Sequence, residues 1–230
     1  MGNLILSVKT ITMAIAMVTV IALSHGLAKA DEVSFSGFTN GCFGAACVPP
    51  TTNAPQSITL LGLTFNNSTF SGQTASGFLG IGNAPGTPNV DNLGSFSLDG
   101  TPATYDGQSF TLRVTFTAPP GINGGGSRTF SASLVGVVSS IDNGGVFVDF
   151  NNTPTLFTFS FVNHAGQTVT GSFTFTVNDV TMIAGGVVPL TGTITSASQT
   201  AVPEPASMFL LGTGLVGIAG LARRRFRRRS

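Results

Sequence analysis

Tryptophan is absent, tyrosine occurs once, at Tyr105, and only 8% of the residues carry a charge. Without Trp and with a single Tyr, the usual aromatic platform for stacking sugars is scarce. Histidine is nearly absent too: His25 lies in the N-terminal segment, and His164 is the single histidine between Asp31 and Ala201. A catalytic triad needs a nucleophile and an orienting group besides, so His164 in Asn163-His164-Ala165-Gly166 reads as a polar loop residue. No HExxH, Gly-x-Ser-x-Gly or Walker sequence occurs. No catalytic residue is expected, and the chain is read as no enzyme. Cysteine is limited to Cys42 and Cys47. No second Cys or His pair completes a tetrahedral metal site, so outside the cytoplasm a disulfide closing a small loop is expected.

Basic residues are scarce in the middle of the chain. Between Asp31 and Ala201 stand eight acids (Asp31, Glu32, Asp91, Asp99, Asp106, Asp142, Asp149, Asp179) and two bases (Arg113, Arg128), a net charge of −6. An acidic body excludes nucleic acid as a partner, because binding phosphates requires a basic surface. Six of the ten basic residues crowd the C-terminal end instead.

Both ends carry long uncharged runs. Residues 11–23 (ITMAIAMVTVIAL) hold no charge, and Ala28-Lys29-Ala30 places small residues where a signal peptidase needs them. Cleavage after Ala30 is the direct reading; an uncleaved signal anchor is the alternative, since Leu4, Ile5 and Leu6 lengthen the apolar stretch. Residues 206–222 (ASMFLLGTGLVGIAGLA) are likewise uncharged. As a helix at ~1.5 Å per residue they reach about 25 Å, the short end for a bilayer. Arg223, Arg224, Arg225, Arg227, Arg228 and Arg229 follow at once. Such a cluster stays in the cytoplasm and leaves the upstream chain outside the inner membrane. The domain reading is therefore 1–30 signal peptide, 31–201 extracytoplasmic body and 202–230 tail.

Ahead of the apolar run lies Val202-Pro203-Glu204-Pro205. Each proline fixes its own φ and biases the preceding residue towards extended backbone, so this tetrapeptide stays outside the helix. An extended segment is the form a protease grips. In this order, VPEP, glycine-bearing apolar helix and terminal arginines resemble the PEP-CTERM sorting signal of Gram-negative, exopolysaccharide-producing bacteria. The resemblance covers about the last 28 residues. It implies recognition of Pro203, Glu204 and Pro205 by an exosortase, a membrane processing enzyme, with Arg223 to Arg229 as the cytoplasmic retention patch. It also implies release to the cell surface or matrix. A tail of this kind is also catalogued as a C-terminal segment of ice-binding proteins.

The body has the periodicity of an all-β domain. Ser109 to Thr117 alternates Phe110, Leu112, Val114 and Phe116 with Thr111, Arg113, Thr115 and Thr117, the period of a strand with one face in a core. Thr155–Val162 and Thr168–Val177 repeat it, joined by a hairpin at 163–166. Further strands are expected at 57–61, 94–98, 129–138, 146–150 and 187–195. About eight to ten short strands with frequent turns point to an antiparallel sandwich or jelly roll, with a solenoid as runner-up.

Asp142-Asn143-Gly144, Asp149-Phe150-Asn151 and Asp99-Gly100 offer oxygen ligands of the kind calcium takes. Asp and Asn beside Gly are also ordinary turn residues, so the expectation is no metal, with calcium the alternative. Thr-x-Thr pairs at Thr115/Thr117, Thr174/Thr176 and Thr191/Thr193 read as solvent faces of strands, though a flat array of them would suit ice or a carbohydrate. The leading expectation is a non-catalytic envelope or matrix protein associated with exopolysaccharide. A carbohydrate- or ice-binding module comes second, a secreted hydrolase third.

Overall fold

The computed structural model describes residues 29–30, 32–82, 92–140 and 144–200, with Gly212, Gly214 and Leu215 besides. Lys29–Thr200 forms one compact unit. The signal-peptide helix and the transmembrane helix expected from the sequence lie outside the described residues, apart from those three positions, which are helical. Among the described residues no helix is long and apolar enough to cross a membrane.

The compact unit is all-β, with every strand pairing antiparallel. Its strands are β1 (Lys29–Ala30), β2 (Ser34–Phe43), β3 (Ser57–Leu60), β4 (Leu63–Asn66), β5 (Thr69–Gln73), β6 (Leu79–Ile81), β7 (Ser95–Leu98) and β8 (Ala103–Thr104). After them come β9 (Gln108–Ala118), β10 (Ser127–Val138), β11 (Gly145–Phe150), β12 (Thr155–Val162), β13 (Thr168–Val177), β14 (Val180–Ile183), β15 (Val187–Pro189) and β16 (Gly192–Thr200). A seven-stranded sheet runs β14-β11-β10-β9-β2-β5, with β8 beside β10. A five-stranded sheet runs β1-β16-β13-β12, with β6 on β16, and a four-stranded sheet runs β15-β7-β4-β3.

Alternation drives these sheets together. On β9, Phe110, Leu112, Val114 and Phe116 are buried while the residues between them reach the surface. Phe116 meets Phe157, Phe173 and Phe175 of the five-stranded sheet at centroid distances of 5.2, 5.1 and 5.3 Å. Phe110 meets Phe65 and Phe96 of the four-stranded sheet at 4.9 and 5.0 Å. Each such pair adds about 0.5–1.5 kcal/mol beyond the burial of its area. The seven-stranded sheet thus faces the other two across a phenylalanine core, in the manner of a sandwich.

Two open edges are covered by loop residues. The far edge of β12 takes an isolated bridge from Ile122 to Phe159 and hydrogen bonds Asn123 N to Thr158 O (2.9 Å) and Ser160 N to Gly121 O (3.0 Å). The end of β2 is closed by the amide of Gln56: Gly41 N donates to Oε1 at 2.8 Å and Nε2 donates to Gly41 O at 2.9 Å. An open edge is a template for unwanted pairing, and both devices remove it.

Two expectations change. The stretch 187–195, expected as one strand, is two: β15 belongs to the four-stranded sheet and β16 to the five-stranded sheet. Pro189 cannot donate a ladder bond, and Leu190 turns fully into the core between them. The described residues also hold sixteen strands instead of about eight to ten.

Candidate functional site

Cys42, near the end of β2, is bonded to Cys47 with Sγ–Sγ 2.10 Å and Cα–Cα 5.9 Å. The expected disulfide is present, and it closes the Gly44-Ala45-Ala46 turn directly beyond β2.

His164 sits exposed in the turn between β12 and β13. Asn163 organises that turn: its Oδ1 accepts Ala165 N at 3.0 Å and Gln167 N at 2.9 Å. The backbone closes it with Gly166 N donating to Asn163 O at 2.9 Å. The histidine is thus carried by a hairpin turn whose shape comes from its neighbour.

The carboxylates and amides with calcium-type chemistry are spread over separate turns. Asp99 Oδ1 accepts Thr101 N at 2.9 Å, and Asn151 Oδ1 accepts Thr153 N at 3.1 Å, the local bonds that turn-forming Asx residues make. Asp149 is exposed on the outer face of β11, and Asp142 and Asn143 lie outside the described residues. Asp179, for which the sequence suggests no role, staples two segments: its Oδ1 accepts Phe150 N and its Oδ2 accepts Asn152 Nδ2, both at 2.9 Å. Among the described residues no three His, Cys, Asp or Glu side chains gather as a metal site would require.

Tyr105 is fully buried and its hydroxyl donates to Leu61 O. Burial, and after it the negative charge of Asp99, raises its pKa above the ordinary 10.0. Both effects favour the neutral phenol as a hydrogen-bond donor, which is a structural task.

The two ends of the β body meet. Lys29 pairs with Thr200 and Ala30 with Gln199, so the chain enters and leaves the body side by side on the edge of β16. Ala30, the expected end of the signal peptide, therefore lies opposite Gln199, just before the expected start of the tail at Val202. Cleavage after Ala30 would take β1 with it. Of the other residues expected to matter for export and processing, Ala28, Val202, Pro203, Glu204, Pro205 and the arginines from Arg223 to Arg229 lie outside the described residues.

Comparison with known proteins bears on the tail. No curated protein and no solved structure matches the chain. Residues 201–229 match the family model of the PEP-CTERM protein-sorting motif, so this chain carries that sorting signal directly after the last strand of its β body.

Proposed function

We propose that the chain is a non-catalytic protein of the cell envelope or extracellular matrix, exported through its N-terminal segment and processed through its C-terminal tail. Signal peptidase removes residues 1–30. Residues 206–222 hold the chain in the inner membrane while Arg223, Arg224, Arg225, Arg227, Arg228 and Arg229 remain in the cytoplasm. An exosortase-type enzyme then reads Val202-Pro203-Glu204-Pro205, cuts nearby and releases residues 31–201 to the surface or matrix, among exopolysaccharide. The match of residues 201–229 to the sorting motif carries the export and processing part of this reading. Changing Pro203, Glu204 and Pro205 to Ala should leave export intact and block release from the inner membrane. Unchanged release would overturn recognition through this motif.

A second reading, that the body is a carbohydrate- or ice-binding module, has one observation in its favour. β12, β13 and β16 contain no charged residue, and Thr174 lies opposite Thr195, Thr176 opposite Thr193 and Ser172 opposite Ser198 on their outer face. This aligned hydroxyl surface suits an uncharged, hydroxylated partner. The seven-stranded sheet also carries Ser and Thr outside, as exposed strands commonly do. Binding of the released body to the host's own exopolysaccharide, or a change in ice-crystal growth, would favour the module; neither response would return the body to a purely structural role.

A further inference from the structure

The only two arginines between Asp31 and Ala201 stand one step apart on the β9–β10 ladder, Arg113 on its outer face and Arg128 turned towards the core. Arg113 of β9 lies opposite Thr129 of β10, and Arg128 lies opposite Val114, one step along the same ladder. Arg113, Ser127, Arg128 and Thr129 line an open hollow of about 260 Å³.

The two guanidinium groups are used differently. Arg128 Nη1 donates to the carbonyls of Gly124, Gly125 and Ser127 at 3.3, 3.0 and 2.7 Å, and its guanidinium lies 5.1 Å from the Phe157 centroid. It is committed to holding the turn at 123–126 against the core. Arg113 Nε, by contrast, is buried without a hydrogen-bond partner. An unsatisfied buried donor lowers stability. The other outward residues of β9 are Ser109, Thr111, Thr115 and Thr117, and a further threonine would have continued the strand without that cost. What the position gains from arginine is a planar cation lining a hollow that Ser127 and Thr129 line as well.

We propose that this hollow binds the carboxylate of an acidic saccharide unit. A guanidinium presents its N–H groups in a fixed fork that matches a carboxylate. The hydroxyls of Ser127 and Thr129 both donate and accept, as the alcohols of a sugar ring require. Beside them Thr115 Oγ1 and Ser127 Oγ already share a bond of 2.8 Å, which fixes the orientation of that rim. The net charge of −6 over residues 31–201 repels a dense polyanion such as nucleic acid, so the fitting ligand carries isolated carboxylates on an otherwise neutral sugar chain. This inference goes beyond the binding-module reading, since it concerns the seven-stranded sheet and a charged ligand, and it is independent of how the tail is processed.

The test uses the full chain in a neutral detergent, titrated with aldobiouronate, a disaccharide with one glucuronate, and with its uncharged methyl ester. Saturation-transfer NMR should show binding of the acid, at least tenfold weaker binding of the ester, and a shift of the Arg113 Nε–H resonance on titration. Arg113→Gln should lower affinity at least tenfold while the unfolding midpoint does not fall. Equal binding of acid and ester, or undiminished binding by Arg113→Gln, overturns the proposal and moves any charge attraction to the tail arginines. Should the variant fail to fold, a wild-type Nε–H resonance that does not move on titration overturns it equally. These readouts are untouched by Pro203, Glu204 and Pro205, so failure here and failure of sorting are told apart.

Discussion

At the scale of single residues, the glycines inside strands make room for phenylalanine. A Cβ on Gly41 would stand 2.5 Å from Phe110 Cζ and 2.7 Å from Phe65 Cδ1, and one on Gly37 would stand 2.3 Å from Thr115 O and 2.4 Å from Phe70 Cζ. These rings are packed in the core and have nowhere to go. Gly41→Ala should therefore lower stability by about 1–3 kcal/mol through overpacking. Gly100→Ala, with no atom within 4 Å, should change it by no more than about 0.5 kcal/mol. Urea denaturation of the two variants checks the contrast. Tyr105 gives a prediction in pH. Its folded-state pKa is raised, so the neutral phenol's contribution is complete below about pH 10 and is lost as pH rises through the folded value. Stability measured from pH 8 to 12 should fall more steeply in the wild type than in Tyr105→Phe, whose baseline is lower because the bond to Leu61 O is gone.

At the scale of elements, the signal-peptide junction and the last strand are physically coupled. If cleavage follows Ala30, the mature body loses β1, and the edge of β16 at Gln199 and Thr200 loses its partner. Amide exchange at these positions should be faster in the cleaved protein than in the uncleaved precursor, while Ile194, paired with both Phe175 and Leu79, stays protected. The disulfide acts on a similarly local scale. For so short a loop the chain-entropy effect is about 2 kcal/mol, so Cys42→Ser with Cys47→Ser should lower stability by about that amount without changing the fold. Strands with strict alternation, such as β9, β12 and β13, were legible in the sequence because one face is core and the other solvent. β2 was not. Gly37 and Gly41 interrupt its pattern, and Phe38, Thr39 and Asn40 are buried in succession, because loop residues cover its outer side as well. The role of Gln56 was equally hidden, since a side-chain amide replacing a neighbouring strand leaves no periodic signal.

At the scale of the whole molecule, charge is segregated along the chain: an acidic β body lies between an uncharged N-terminal run and a tail that ends in six arginines. The sorting signal was legible because its three parts are contiguous in sequence and each depends on local chemistry. The Arg113 hollow was not, because it depends on the register of β9 against β10. Deleting the six arginines should let the tail slip outward, shown by protease access to the C-terminal end from outside the inner membrane. Whether the tail is an address read once and removed is decided by mass spectrometry of the mature protein's C-terminus in cells with and without the processing enzyme. A chain ending near Pro203-Glu204-Pro205 is expected when the enzyme is present, and one ending at Ser230 when it is absent. A mature protein that ends at Ser230 in both would contradict removal of the tail.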